Sequence, residues 1–125
     1  DIPEEVSNIM YYTLSVGHHT GVADCLSPCL SCSMDTYCSI VSHIDSQEAR
    51  YKLEGIMRFG EIQIDKVHVP ALAKALKKEL QSLYLRKTSK LYAAEITWLT
   101  QFLDLLEEVR TQTAMYMMGR LTDEQ

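Results

Sequence analysis

Apolar residues recur at helical spacing along much of this chain, and the spacing predicts five helices. The predicted helices cover residues 4–16, 34–44, 46–55, a segment beginning at Pro70, and 89–118. Gly17 suits the left-handed position after a first helix, and Gly119 is a suitable stop for the last one. A short turn or helix is also expected at Ser27-Pro28, because serine before proline is typical of a helix start.

Residues 61–67 alternate polar with β-branched apolar side chains, which is the pattern of a strand. A lone strand would leave its edges unpaired, so we expect it to pair with residues 56–59 or across a homodimer. The predicted fold class is therefore mainly α. We expect residues 1–125 to form a single compact helical domain with one short β-strand or hairpin near residues 56–67.

The last predicted helix carries two adjacent apolar stripes, which together make a wide arc. The stripes consist of Leu91, Trp98, Phe102, Leu105 and Val109, and of Ile96, Leu99, Leu103 and Leu106. Because so wide an arc must be covered on two sides, we expect a central core helix. The alternative is an exposed groove for a partner.

The composition is that of a soluble globular protein, with 46% hydrophobic and 23% charged residues in 125. The chain starts without a basic segment followed by an apolar one, and no uncharged apolar run reaches the roughly 18 residues of a membrane span. We therefore expect a cytoplasmic protein without a membrane association.

Positive charge is concentrated in residues 66–90, although the net charge of the chain is −5. This segment has seven lysines and arginines against Glu79 alone. An acidic chain with one basic segment does not suit nucleic acid, which repels it overall. The basic residues form either a solvated helix face or, through Lys74, Lys77 and Lys78, a surface for an acidic protein partner.

The four cysteines all lie between Cys25 and Cys38, so they cannot join distant parts of the fold and we expect reduced thiols. Cys25, Cys29 and Cys32 have the spacing by which radical S-adenosylmethionine enzymes hold an iron–sulfur cluster. Such enzymes need a large α/β barrel, which this short chain does not predict. The alternative is that these cysteines are small buried hydrophobic residues.

Two histidines, an aspartate and a thiol fall within eight positions that follow Gly17 and include Gly21: His18, His19, Asp24 and Cys25. Imidazole and thiolate are ligands for zinc, nickel or iron, so His18, His19, Cys25, Cys29 and Cys32 are candidate metal ligands. A cysteine nucleophile with a histidine base is a further reading. No nucleophile elbow, phosphate loop or HExxH motif is present, and we expect neither catalytic residues nor a cofactor.

Two blocks of this sequence resemble the formate hydrogenlyase maturation protein family (HycH/HyfJ type). The first block is residues 11–26. The second includes Ala49-Arg50, Lys52, Glu54-Gly55, Gly60-Glu61-Ile62, Ile64-Asp65, His68-Val69-Pro70 and Leu72. The likeness is dense up to Leu72 and thin beyond it. Family members have a longer segment before the first block, so we expect the start of this chain to be trimmed or disordered.

The resemblance implies an accessory assembly chaperone for the nickel–iron hydrogenase of a formate hydrogenlyase complex. It implies binding to the hydrogenase large-subunit precursor and to other subunits of that complex, without enzymatic activity. The predicted partner-binding residues, which we expect to converge on one side of the fold, are His18, His19, Asp24, Cys25, Asp65 and His68. The alternative function is a metallochaperone or metal-binding maturation factor that uses residues 18–32.

Overall fold

The computed structural model describes residues 9–15, 27–86, 92–112 and 114–122. Four strands and four α-helices are found there, in an α+β arrangement. In chain order they are β1 (Ile9–Ser15), β2 (Ser27–Cys32), α1 (Met34–Ser42), α2 (Gln47–Phe59), β3 (Glu61–Ile64), α3 (Val69–Leu85), α4 (Ala93–Thr111) and β4 (Met115–Leu121). A 3₁₀ turn, Lys66–His68, joins β3 to α3.

The strands form one antiparallel sheet in the order β2-β1-β4-β3. The central pair, β1 and β4, runs from Ile9 opposite Leu121 to Ser15 opposite Met115. β1 and β4 are thus the two ends of the described chain, and their pairing closes the fold.

The helices pack on the sheet face that bears Tyr11 and Met117. Gly119 also lies on this face, and a Cβ atom there would meet the Tyr11 ring at 2.6 Å and Ile56 Cδ1 at 2.8 Å. Glycine at this position therefore lets α2 and β1 approach β4 closely.

Short-range signals in the sequence explain where the helices start and stop. Ser33 caps α1 by accepting from the Thr36 N–H at 3.1 Å, and Ser46 caps α2 by accepting from the Ala49 N–H at 3.2 Å. Gly60 ends α2 at a φ of 83°, where its N–H donates to the Ile56 carbonyl at 2.8 Å. Pro70 lies in the first turn of α3.

An aromatic cluster at the centre of the core joins the sheet to α1 and α4. It consists of Tyr11, Tyr37, Trp98 and Phe102, with ring centroids 4.8–6.3 Å apart in the contacting pairs. The Tyr37 hydroxyl donates to the Leu53 carbonyl at 2.9 Å, so the Tyr11 hydroxyl, 2.7 Å away, donates to Tyr37. Both hydroxyls are therefore buried with partners.

The structure contradicts the mainly α fold class, because four strands pair where one short strand was predicted. The predicted strand is confirmed as β3. It pairs with β4, whereas residues 56–59 belong to α2. The helices predicted over 34–44, 46–55 and from Pro70 are confirmed as α1, α2 and α3.

The helix predicted over residues 4–16 is wrong for its second half, which is β1; residues 1–8 lie outside the described part. Apolar residues on both sides of β1 produced the misleading pattern. Ile9 and Tyr11 are buried under the helices, while Met10, Tyr12 and Leu14 alternate onto the other face and are half-buried. A strand with two apolar faces does not show the alternation of a half-exposed strand.

The other two corrections concern β2 and β4. The helix start predicted at Ser27-Pro28 is a strand at the edge of the sheet, where the missing N–H of proline is tolerated. The helix predicted over 89–118 ends at Thr111, and Ala114 takes a positive φ of 64° before β4 begins. Its role as a central core helix is confirmed by the burial of Trp98, Leu99, Phe102, Leu106 and Val109.

Candidate functional site

The predicted partner-binding residues fall into two groups in the structure. His18, His19, Asp24 and Cys25 lie outside the described residues. Asp65 and His68 lie together in the turn between β3 and α3. The convergence of all six residues therefore stays a prediction, and the geometry below concerns the second sequence block.

Asp65 and His68 hold the turn together through two hydrogen bonds. The Asp65 N–H donates to His68 Nδ1 at 2.9 Å, and the His68 N–H donates to the Asp65 carbonyl at 2.9 Å. The Asp65 carboxylate also accepts from Gln63 Nε2 at 2.9 Å. Part of the signature is therefore a structural device that turns the chain from the sheet into α3.

The hydrogen bond from the Asp65 N–H determines which nitrogen of the neutral His68 ring carries the proton. Because Nδ1 accepts a hydrogen bond, the proton of the neutral ring is on Nε2. Partial burial lowers the pKa of His68, and the charge of Lys52 lowers it further; Asp65 and Glu48 act in the opposite direction. His68 therefore presents a neutral ring with one N–H donor.

A cavity of about 200 Å³ adjoins His68, between α2 and α3. Its lining is mostly apolar, with Ala49, Ala71 and Leu72 on its walls and Glu48, Tyr51 and Lys52 beside them. The alanines of the two helices leave this space because neither side chain is long enough to fill it.

An exposed aromatic face begins at this cavity and continues along α2; we define it as Tyr51, Arg58 and Phe59. Tyr51 is 64% exposed and Phe59 71% exposed. The Arg58 guanidinium carbon lies 4.0 Å from the Tyr51 ring centroid and 5.7 Å from that of Phe59. Arg58 also donates to the Tyr51 carbonyl at 2.7 Å, so the three side chains are held as one surface.

The cysteines do not form a recognisable metal site in the part of the chain that is described. Cys29 and Cys32 lie on β2, Cys38 lies on α1, and Cys25 is outside this part. No group of three or more His, Cys, Asp or Glu side chains among the described residues is placed to hold a metal ion. The metal-ligand prediction for His18, His19 and Cys25 stays untested.

The basic segment serves more than one purpose. Lys74, Lys77 and Lys78 are exposed on α3, and Lys78 pairs with Asp45 at 3.0 Å. Lys66 donates instead to the carbonyls of Val109 and Gln112 at the C-terminal end of α4. A cation there is favoured by the helix dipole, so part of the charge run stabilises the fold.

Sequence reasoning missed a buried carboxylate on α3. Glu79 is 5% exposed, and no described residue hydrogen-bonds to its Oε2. It lines a groove of about 910 Å³ between α3 and the α1–α2 connection. Burial raises the pKa of Glu79, and His43 and Arg86 partly oppose this increase. A lone glutamate among lysines at helical spacing gave no signal for burial.

Among the residues placed in the structure, no helix is both long and apolar enough to cross a bilayer. The fold and the site define an α+β protein with an aromatic and basic surface of the kind used to contact other proteins.

Comparison with known proteins gives the family. The family model described as formate hydrogenlyase maturation protein HycH matches residues 1–121. The chain is 38% identical over 119 residues to formate hydrogenlyase maturation protein HycH of Escherichia coli (strain K12), covering 94% of this chain and 82% of the relative. It is 37% identical over 120 residues to hydrogenase-4 component J of the same strain, covering 96% and 82%. No solved structure matches.

The chain therefore belongs to the HycH family of formate hydrogenlyase maturation proteins. The resemblance given by its two sequence blocks is confirmed, and the match continues through α4 and β4 to residue 121.

Proposed function

We propose that this protein is a non-catalytic maturation factor of a formate hydrogenlyase, and that it binds the precursor of the nickel–iron hydrogenase large subunit. The family supports the maturation role, since relatives are named for formate hydrogenlyase maturation. Binding of the precursor, and of other subunits of the complex in the cytoplasm, goes beyond those names and is the proposal itself.

The observation that carries the proposal is the exposed aromatic face of α2. Leaving tyrosine and phenylalanine rings in water is unfavourable for an isolated protein, whereas covering them stabilises a complex. Tyrosine and arginine are also the residues that most often dominate the binding energy of protein interfaces. Arg58 already lies against both rings, so little side-chain freedom is lost when a partner covers them.

The first sequence block belongs to the same proposal. His18, His19, Asp24 and Cys25 would form a second part of the binding surface. A His18→Ala/His19→Ala variant should then bind less precursor while staying folded. Unchanged binding by that variant would limit the surface to the α2 side.

Co-purification tests the proposed function. The tagged protein, expressed in cells that make a formate hydrogenlyase, should retain the unprocessed large subunit. Tyr51→Ala/Phe59→Ala should lose most of it. Tyr84→Ala/Leu85→Ala is the matched control, because Tyr84 is 61% and Leu85 85% exposed at the end of α3. Full retention by the folded Tyr51→Ala/Phe59→Ala variant would rule out the aromatic face, and absence of the precursor from the parent protein would rule out the function.

A further inference from the structure

The cavity beside His68 has the size of one side chain. At about 200 Å³ it is somewhat larger than cavities of about 150 Å³, which can hold a benzene molecule. It opens at the surface next to Tyr51, the first ring of the exposed aromatic face. A partner that covers the exposed aromatic face therefore also covers the opening of the cavity.

The walls and the rim of the cavity differ in chemistry. Ala49, Ala71 and Leu72 provide apolar walls. Two charged residues of α2, Glu48 and Lys52, line the cavity with them. Among the described residues Lys52 has no ion-pair partner within 4.0 Å, Glu48 included, so its ammonium is available to a carboxylate of a partner. An apolar space beside a half-buried lysine suits a ligand that is apolar at one end and anionic at the other.

His68 adds a directed donor to this rim. Its Nδ1 is occupied by the Asp65 N–H, and no described residue accepts from its Nε2–H. Lys52 lowers the pKa of His68 more than either Asp65 or Glu48 raises it, which identifies Lys52 as the charge acting most strongly on the ring. An acceptor placed between Nε2 and Lys52 would therefore meet two donors, one of them charged.

We propose that this cavity receives an aliphatic side chain of the bound partner, and that an aspartate or glutamate next to that side chain in the partner binds Lys52 and the Nε2–H of His68. The inference rests on the proposed function, since it specifies which kind of partner segment the α2 side recognises. The aromatic face supplies contact area, while the cavity and its rim select the sequence of the segment.

Filling the cavity is the first test. Ala71→Leu puts a branched side chain where the partner's side chain would go. Because Ala71 also lines the larger groove, the control is Ala75→Leu, the same change one turn along α3 at a residue that lines the groove but not the cavity. With purified large-subunit precursor, Ala71→Leu should weaken binding by about tenfold or more, because a side chain anchored in a pocket is among the few interface residues that carry most of the binding energy. Ala75→Leu should bind as the parent does.

Cross-linking identifies the segment and separates the outcomes. A benzophenone amino acid in place of Tyr51 should cross-link the precursor at a segment with an aliphatic residue next to Asp or Glu. Changing that acidic residue to Lys should abolish binding to the parent, and Lys52→Glu should restore it.

Two results would overturn the inference. One is binding of the precursor by Ala71→Leu at the parental affinity while Tyr51→Ala/Phe59→Ala fails to bind; the proposed function would then stand without the cavity. The other is a cross-linked segment that lacks an acidic residue. If the parent itself does not bind the precursor, the proposed function fails and the inference fails with it.

Discussion

The molecule has two groups of aromatic side chains that differ in solvent exposure. Tyr11, Tyr37, Trp98 and Phe102 are packed against one another in the core, and their exposure does not exceed 3%. Tyr51 and Phe59 lie on α2 with most of their surface in solvent. The first group holds the sheet and the helices together, whereas the second lies on the surface of α2. The difference separates residues needed for folding from residues available for binding.

The largest expected effect comes from truncating a ring of the buried group. Phe102→Ala removes a fully buried ring that contacts Tyr11 and Trp98, and it should lower the free energy of unfolding by about 3–5 kcal/mol. Urea denaturation measures this loss. The control is Phe59→Ala, the same change at an exposed ring; equal losses at both positions would remove the distinction between the two groups.

The hydroxyl pair inside the buried group gives a smaller effect. Tyr37→Phe leaves the Tyr11 hydroxyl buried without its acceptor and removes the side-chain bond to the Leu53 carbonyl, which should cost about 1–3 kcal/mol. Tyr11→Phe removes only the donor to Tyr37 and leaves the bond to Leu53 intact, so it should cost less. Chemical denaturation of the two variants measures both losses. A larger loss of stability in Tyr11→Phe than in Tyr37→Phe would contradict the hydrogen bonds described.

Glu79 is a buried carboxylate, and its burial predicts that the stability of the protein depends on pH. The folded-state pKa of Glu79 is raised above its ordinary value of 4.5, so the ionised form opposes folding. This destabilisation is absent well below pH 4.5 and grows as the pH rises through that value to the raised pKa. Glu79→Gln should therefore be more stable than the parent at pH 7, with a difference that vanishes in acid. An advantage of equal size at all pH values would contradict the assignment.

The smallest effect on stability is expected at the exposed rings. Tyr51→Ala and Phe59→Ala should each change the free energy of unfolding by no more than about 0.5 kcal/mol, because the side chains are already in water. Thermal denaturation checks this. A substantial loss would mean that the aromatic face supports α2, and the double variant could then not be used to test binding.

The helices that were predicted correctly from the sequence are those whose apolar residues lie on one face. α1, α2 and α3 each have a serine cap or an early proline and a single buried face, so their periodicity is clear. β1 and β4 are central strands whose outward residues are also largely apolar, as Tyr12 and Met118 show, and no simple alternation marks them. Their pairing brings residues 100 or more positions apart into contact, which local patterns do not encode.

The candidate site was predictable in part. Asp65 and His68 were selected as partner-binding residues from the second block; the structure adds that they hydrogen-bond each other, and their contact with a partner stays a prediction. Tyr51 and Phe59 were not selected, because an aromatic residue in a helical pattern gives no sign of exposure. The alanines that create the cavity are likewise visible only once α2 and α3 are packed together.

Hydroxyl-radical footprinting of the protein with and without the large-subunit precursor tests the central claim most directly. Aromatic and aliphatic side chains that a partner covers react more slowly with the radical, and Tyr51, Phe59, Tyr84 and Leu85 all start exposed. We expect protection of Tyr51 and Phe59 on binding, with Tyr84 and Leu85 unchanged. Protection of Tyr84 and Leu85 with Tyr51 and Phe59 still reactive would contradict the assignment of the α2 face as the binding surface.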